Sequence, residues 1–332
     1  MTAETISAET VLEQIRQHTE SENPSSFLAV NEGNEYFTAP GLPGVVVYRS
    51  TGRYLVQFGG PFAPRESYLP LLAAFKDFAD GCGQPIVAVQ LQDHDARLYA
   101  RHGFTVNQIG ASYAVDLDAF TLAGSKFMQL RNKISRAFRN GLTVTEAPLD
   151  TWQQAMRAID GQWLSGKGEQ ARPLEFLVGQ YGGAMQSHRR LFVGTVDGEL
   201  VGYISYSPVH GERAGWMHDL SRRRPDGSPG IMEAINKTAM DVFHSEGTRW
   251  LHFGFTPFTG LRAECEPEGA SPAFGWLMQF LREHGEAVYP AATQLAYKLK
   301  WAPQLVLPEY VAFQGRAGIG AFVHIFRAAN AL

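Results

Sequence analysis

One feature constrains this chain more than any other: short β-type runs alternate with helix-type patterns up to about residue 120, and the alternation then starts again. The first pass predicts strands over "SSFLAV", "GVVVYRS" and "RYLVQFGG", and a helix from about Pro64 to Gly81. It continues with an apolar strand, "PIVAVQ", a short helix over "DHDARLYARHGF" and a strand, "ASYAVDL". The second pass predicts a basic helix from about Ser125 to Asn140 and further helices over "TWQQAMRAIDGQWL" and around "LEFLVGQYGGAM". The alternating strands "RLFVGTVDGELVGYISYSPV" and "RAGWMHDL" follow, then a helix after "DGSPG" and a strand, "WLHFGF". A helix over "SPAFGWLMQFLREHG" and a strand over "QLAYKLKW" close the pass. Interleaved elements of this kind predict a mixed α/β (α+β) fold of two similar units in series, residues 1–120 and 121–332.

Composition narrows the function class. With 332 residues, 45% of them hydrophobic and 19% charged, the chain can bury a core in each unit. A net charge of -4 excludes a globally basic nucleic-acid packaging protein, so any polyanion contact must come from a local cluster. The two cysteines, Cys82 and Cys265, fit neither a metal spacing nor a disulfide framework, which points to a reducing cytoplasm. The N-terminal stretch is acidic and amphipathic rather than a basic-then-apolar leader, and no apolar run is long enough for a transmembrane segment. The apolar tail "GIGAFVHIFRAANAL" is interrupted by His324 and Arg327 and is expected to be a packed helix.

Local cationic clusters do exist. The stretch "HDLSRRRPDGSPGIMEAINKTAMDVFHSEG", from His218 to Gly247, sets Arg222, Arg223 and Arg224 and a Gly-Ser-Pro-Gly turn in front of a helix. A helix N-terminus favours anions through its free N–H groups and its dipole. A coenzyme A pyrophosphate cradle, however, needs several consecutive backbone donors, and Pro229 has none. Three guanidinium groups exceed what one pyrophosphate requires and suit phosphate or carboxylate oxygens. The structural alternative pairs some of them with Asp219, Asp226 or Glu233.

The predicted helix over 125–140 carries a second cluster. At about 100° per residue, Phe127, Leu130, Ile134, Ala137 and Phe138 share one face, and Lys126, Arg131, Lys133, Arg136 and Arg139 spread over the rest. An exposed surface of one sign in an acidic protein predicts a polyanion neighbour, the alternative being an uncompensated solvent face. Lys298 and Lys300 alternate along the predicted strand and are expected on one side of it, either near terminal phosphates or as edge-strand charges.

Both units bear marks of the Gcn5-related N-acetyltransferase (GNAT) fold: "ARLYARHGFTV" resembles that family's late helix and Gly-Phe turn, and 216–243 lies where such enzymes grip coenzyme A. The first unit, without a glycine-rich anion loop, resembles a degenerate copy. "HDLSRRRPDGSPGIMEAI", then "WLHFGFTPFTGL", then "QLAYKLKWAPQLVLPEYVAF" resemble, in order and spacing, the catalytic C-terminal domain of lysylphosphatidylglycerol and other aminoacyl-phosphatidylglycerol synthases. "FTLAGSKFMQLRNKISRAFRNGLTV" and "AIDGQWL" resemble the start of that domain's second half. The resemblance covers roughly residues 110–313 well and the first hundred in outline. Ser221, Glu233 and Thr256 depart from the family's usual methionine, aspartate and alanine, so the amino acid stays open.

The resemblance implies a tandem GNAT fold, each unit a mixed, mostly antiparallel sheet flanked by helices. It also implies transfer of an aminoacyl group from aminoacyl-tRNA to a hydroxyl or amine, with no cofactor and no metal. An aminoacyl ester is already activated, so the protein must position the acceptor and stabilise the oxyanion. Arg222 and Lys298 are the candidates for charge stabilisation. Asp219 and Glu233 are the candidates for holding the α-ammonium group and accepting the nucleophile's proton. Lys126, Arg131, Lys133, Arg136, Arg139, Arg223, Arg224, Gly230 and Lys300 are the candidates for binding the tRNA terminus. His218 and His252 are expected to be core residues, and no Gly-x-Ser-x-Gly elbow marks a covalent intermediate. The acceptor is a soluble metabolite or a phospholipid headgroup reached by peripheral membrane contact, with a slight preference for the small acceptor. An acyl-CoA-dependent N-acyltransferase is the alternative function, and an inactive RNA-binding module is the third reading.

Overall fold

The structure, a computed structural model, describes residues 6–19, 23–166, 172–285 and 289–331. Helix α1 (Ala8–His18) opens it, capped by Ser7, whose hydroxyl accepts from Thr10 N at 3.1 Å, and it buries Val11, Leu12 and Ile15. Strands β1 (Glu35–Ala39), β2 (Leu42–Ser50) and β3 (Leu55–Phe62) form a meander. Then come α2 (Arg65–Cys82), β4 (Ile86–Leu91), α3 (Asp93–Arg101) and β5 (Phe104–Asp116). The second half holds α4 (Met128–Arg139), β6 (Thr143–Glu146), α5 (Leu149–Ser165), β7 (Arg190–Val196), β8 (Glu199–Val209) and β9 (Gly215–Arg223). It ends with α6 (Ile231–Ser245), β10 (Trp250–Pro257), α7 (Pro272–His284), α8 (Ala291–Leu299), β11 (Leu305–Gln314) and α9 (Ile319–Ala328).

Among the described residues, eleven strands join one sheet in the order β1-β2-β3-β4-β11-β5-β10-β9-β8-β7-β6. Two neighbouring pairs, β3 with β4 and β9 with β10, are parallel, and the other pairs are antiparallel. The fold is therefore the expected mixed, mostly antiparallel sheet flanked by helices. The chain's pattern restarts just after β5, yet the sheet runs on, and β11 from the second half lies between β4 and β5 of the first.

Period-2 alternation assigns each strand's faces to different helices. On β4, Ile86 and Ala88 pack with Leu71, Leu72 and Phe75 of α2 and Tyr99 of α3. Val87 and Val89 pack on the opposite side with α1, with Phe274 and Met278 of α7, and with Phe322 and Ile325 of α9. In the second half, Leu130 and Ile134 of α4 and Ile235 and Phe243 of α6 cover Phe192, Ile204 and Leu251. Met156 and Ile159 of α5 cover Leu191, Val193 and Leu220 on the other face. The apolar tail is the packed helix its sequence predicts. Among the described residues, no helix is long and apolar enough to cross a membrane.

Three expected elements differ. "SSFLAV" is not a strand: Ser26–Val30 forms a short 3-10 helix with all five residues buried, an environment in which a brief apolar run carries no period to read. "LEFLVGQYGGAM" is not a helix. Phe176 adopts φ 62° and Gly182 and Gly183 are also at positive φ, so only a 3-10 turn at Ala184–His188 forms. "QLAYKLKW" is helix α8 with a following turn, not a strand.

Candidate active site

Strands β9 and β10 pair in parallel only over Gly215–Trp250, Trp216–Leu251 and Met217–His252, and beyond that they separate. The gap opens into a cavity of about 1500 Å³. Its lining includes Met217, Asp219, Ser221 and Arg222 of β9, Phe253 and Phe255 of β10, and the N-terminus of α6. Ser25, Leu28 and Gln90 of the first half close it from the other side.

Where β10 loses its partner, Lys298 of α8 takes over. Its ammonium donates to the carbonyls of Gly254 at 2.7 Å and Phe255 at 3.1 Å. Full burial pulls its pKa down to about 7, against the opposing pull of Glu309. Glu309 of β11 is itself buried, accepts from the Ser112 hydroxyl, and is pushed up to about 7 by desolvation.

Helix α6 begins at Gly230, which adopts φ 98°. A Cβ there would stand 2.2 Å from the Lys133 carbonyl oxygen, so this glycine lets α6 start directly against α4. One turn on, Glu233 is buried and holds the Lys300 ammonium at 3.0 Å. The sequence placed Lys298 and Lys300 on one side of a strand. They diverge instead, Lys298 from α8 towards the β10 carbonyls and Lys300, just past its end, to Glu233, although both still reach the cavity.

The arginine triplet splits into three environments. Arg222 is half-buried with its guanidinium 3.9 Å from the centre of the Trp163 ring, and Nη1 donates to Ser221 O at 2.8 Å. Beside it, Tyr181 and Tyr203 both donate to Asp160. Burial draws the Arg222 pKa below its ordinary range, and it stays a cation. Arg223 donates to Gly227 O at 2.9 Å and borders the cavity. Arg224 forks onto Asp226 at 3.1 and 3.0 Å and lies outside the lining, which is the structural pairing weighed from sequence.

Asp219 is the most perturbed acid in the cavity. Its side chain is 1% exposed and faces Arg189 Nε at 3.8 Å, and neither carboxylate oxygen has a close hydrogen-bond partner. Desolvation pushes its pKa up to about 6 despite the Arg189 charge. A Cβ on Gly179 would fall 2.0 Å from Asp219 Oδ1, so the segment crossing the cavity must be bare there. Of the two histidines expected in the core, His252 is buried and contacts Arg213 O at 2.8 Å, whereas His218 is only part-buried and lines the cavity, its ring contacting Asn236 Oδ1 at 3.1 Å; desolvation lowers the pKa of each to about 4.

Of the basic helix, Lys133 lines the cavity, and Lys133, Arg136 and Arg139 are exposed without an ion pair among the described residues. Lys126 sits 4.8 Å from the Phe127 ring. Arg131 is not free for a ligand: Nη1 caps the carbonyls of Leu122 and Gly124. Phe138, expected on the apolar face, is 43% exposed. The sequence reading missed Gln90, Gly179 and the role of Trp163. A conspicuous tryptophan in "AIDGQWL" was the only available signal for the last.

Known proteins resemble this chain along nearly its whole length. Residues 13–313 match the family model for the C-terminal part of phosphatidylglycerol lysyltransferase. A phosphatidylglycerol lysyltransferase of Bacillus subtilis is 28% identical over 229 residues, covering 68% of this chain and 26% of the relative. The lysylphosphatidylglycerol biosynthesis bifunctional protein LysX of Nocardia farcinica is 25% identical over 313 residues, covering 91% of this chain and 27% of the relative. The chain thus spans about a quarter of the length of these relatives. Two solved structures share the fold at TM-score 0.77. L-PGS from Bacillus licheniformis is 21% identical, with 99% of each chain covered, and a C-terminal domain (DUF2156) from Agrobacterium fabrum is 22% identical, with 98% of each covered. With nearly the whole length matched by the family model, the chain belongs to the phosphatidylglycerol lysyltransferase C-terminal family.

Proposed function

We propose that this protein is an aminoacyltransferase that moves an aminoacyl group from aminoacyl-tRNA to a hydroxyl of a phospholipid headgroup, without a covalent enzyme intermediate. The observation that carries the reading is the meeting of α4 and the cavity. Lys133 is at once the residue against which Gly230 packs and a residue of the cavity wall, and the unpaired Arg136 and Arg139 continue outward from it. A phosphate backbone on α4 would direct its terminus into the β9–β10 gap. The names of the relatives favour a phospholipid over the small soluble acceptor preferred from sequence, and a lysyl group as the first amino acid to try.

The chemistry is a transesterification. The acceptor oxygen bonds to the ester carbonyl carbon, the bond to the ribose oxygen breaks, and one proton passes from the acceptor hydroxyl to the leaving oxygen. Asp219, with its pKa near 6, is ionised but weakly solvated at neutral pH, as suits a general base or a holder of an ammonium group. Among the described residues, Glu233 is the other carboxylate that lines the cavity. Arg222, fixed against Trp163, is a preorganised cation for the developing oxyanion. Coenzyme A has no part in this reading: the Gly227 amide is bound to Arg224 O at 3.1 Å and Pro229 offers no donor.

Purified protein given lysyl-tRNA and a panel of other charged tRNAs, with phosphatidylglycerol vesicles or with glycerol, tests it. Labelled amino acid is expected in the lipid fraction. Its absence from both acceptors across the panel, together with stabilisation by acetyl-CoA, would move the protein to acyl-CoA chemistry.

A further inference from the structure

Gln90 stands out among the cavity residues. It lies on β4, where Tyr310 of β11 faces Leu91 but Ala312 faces Ala88, so β4 carries one extra residue. That is a β-bulge, a device that re-aims a side chain. Gln90 takes φ 56° within it, a conformation uncommon for residues with a Cβ. At the comparable place after the parallel pairing of β10 stands Gly254, with φ 63° and no side chain. The Gln90 side chain is buried, yet neither Oε1 nor Nε2 has a hydrogen-bond partner among the described residues. Gln108, equally buried on β5, donates to the Gly110 and Gly260 carbonyls and accepts from Arg262 N. Buried carboxamides are ordinarily satisfied, so a strained residue holding an unsatisfied one at a cavity wall implies an absent partner in the cavity.

We propose that Gln90 is a positioning and specificity-determining residue for the proposed transfer, binding vicinal hydroxyl groups of a substrate through both ends of its carboxamide. An ammonium group only donates and would leave Nε2 unmet, whereas a hydroxyl both donates and accepts, and two neighbouring ones serve Oε1 and Nε2 together. Two sources carry that chemistry: the glycerol headgroup of the acceptor lipid and the terminal ribose of the deacylated tRNA that transfer leaves behind, whose two hydroxyls are both free. The first half, which resembles a degenerate copy, thereby contributes a reading group to the second half's cavity. The proposal rests on the transferase reading, which the lipid transfer assay judges separately.

The test is calorimetric binding of glycerophosphoglycerol and of an uncharged CCA-ended acceptor-stem minihelix to wild type, Gln90→Met and Gln90→Gly. Glycine accepts the bulge conformation without strain and serves if the methionine variant does not fold. Affinity for one of the two probes is expected to fall roughly tenfold, with the other unchanged and thermal stability kept or raised. Loss on glycerophosphoglycerol identifies the acceptor headgroup, and loss on the minihelix the ribose. Unchanged affinity for both in a folded variant overturns the proposal, as does a wild type that binds neither.

Discussion

Asp219 keeps a carboxylate where water barely reaches. Its folded pKa, about 6, stands above the unfolded value of 3.8, so the folded state binds more protons between those values. Its protonated form is therefore the better tolerated one, and stability is lost as pH rises through about 6. Asparagine mimics the protonated form. Asp219→Asn is expected to raise stability above pH 6 by up to about 3 kcal/mol, from a shift of about two units, with the gain vanishing near pH 4. Transfer should fall by roughly a hundredfold or more if Asp219 is the base. Melting curves from pH 4 to 8 check this, and equal shifts at both ends would remove the buried charge from the explanation. Asp219, Arg222, Gly230 and Glu233 were legible in the sequence because they sit on one strand-loop-helix stretch whose turn residues announce the helix start. Gln90 was not legible, since its bulge exists only by pairing with a strand far along the chain.

Helix α4 was legible as an element because its apolar residues recur at helical spacing, and Leu130, Ile134 and Ala137 are indeed buried. Which of its cations are available was not legible. The Leu122 and Gly124 carbonyls that engage Arg131 belong to a turn whose course no periodicity fixes. Replacing Lys133, Arg136 and Arg139 together by alanine should leave folding intact, since these side chains are exposed. It should flatten the salt dependence of tRNA binding by about 0.7 to 0.9 log units per lost phosphate contact. An unchanged slope in filter binding would make α4 a plain solvent face. Helix α8 misled for a physical reason: Leu295, Tyr297, Leu299 and Trp301 alternate as in a strand. The partners that decide its state are Ala291 and Lys298, which are buried together on one helical side. Intrinsic pattern lost there to the β10 carbonyls that need a donor.

At the scale of the whole molecule, the two repeating passes in the sequence signal the mixed α/β alternation, but not how strands from the two halves of the chain are interleaved in one sheet. No local pattern tells β11 to enter the sheet between β4 and β5. That choice follows from ten register pairs with β5, and it leaves the first unit incomplete without the last strand of the second. The sheet is then continuous, and the cavity draws on both halves because β4 and β10 are each one strand away from an element of the other unit. A fragment of residues 1–120 would expose both the β4 edge and the β5 edge that β11 covers, together with Val87 and Val89, which pack on α7 and α9. Unpaired, apolar edges of this kind associate non-specifically. Expressed alone, residues 1–120 and 121–332 are each expected to be aggregated or to lack a cooperative melt, whereas the two co-expressed should recover a soluble, cooperatively melting complex. Size-exclusion chromatography with thermal melts decides it, and a monomeric fragment 1–120 with a sharp transition of its own would show that β11 is an addition to a finished unit.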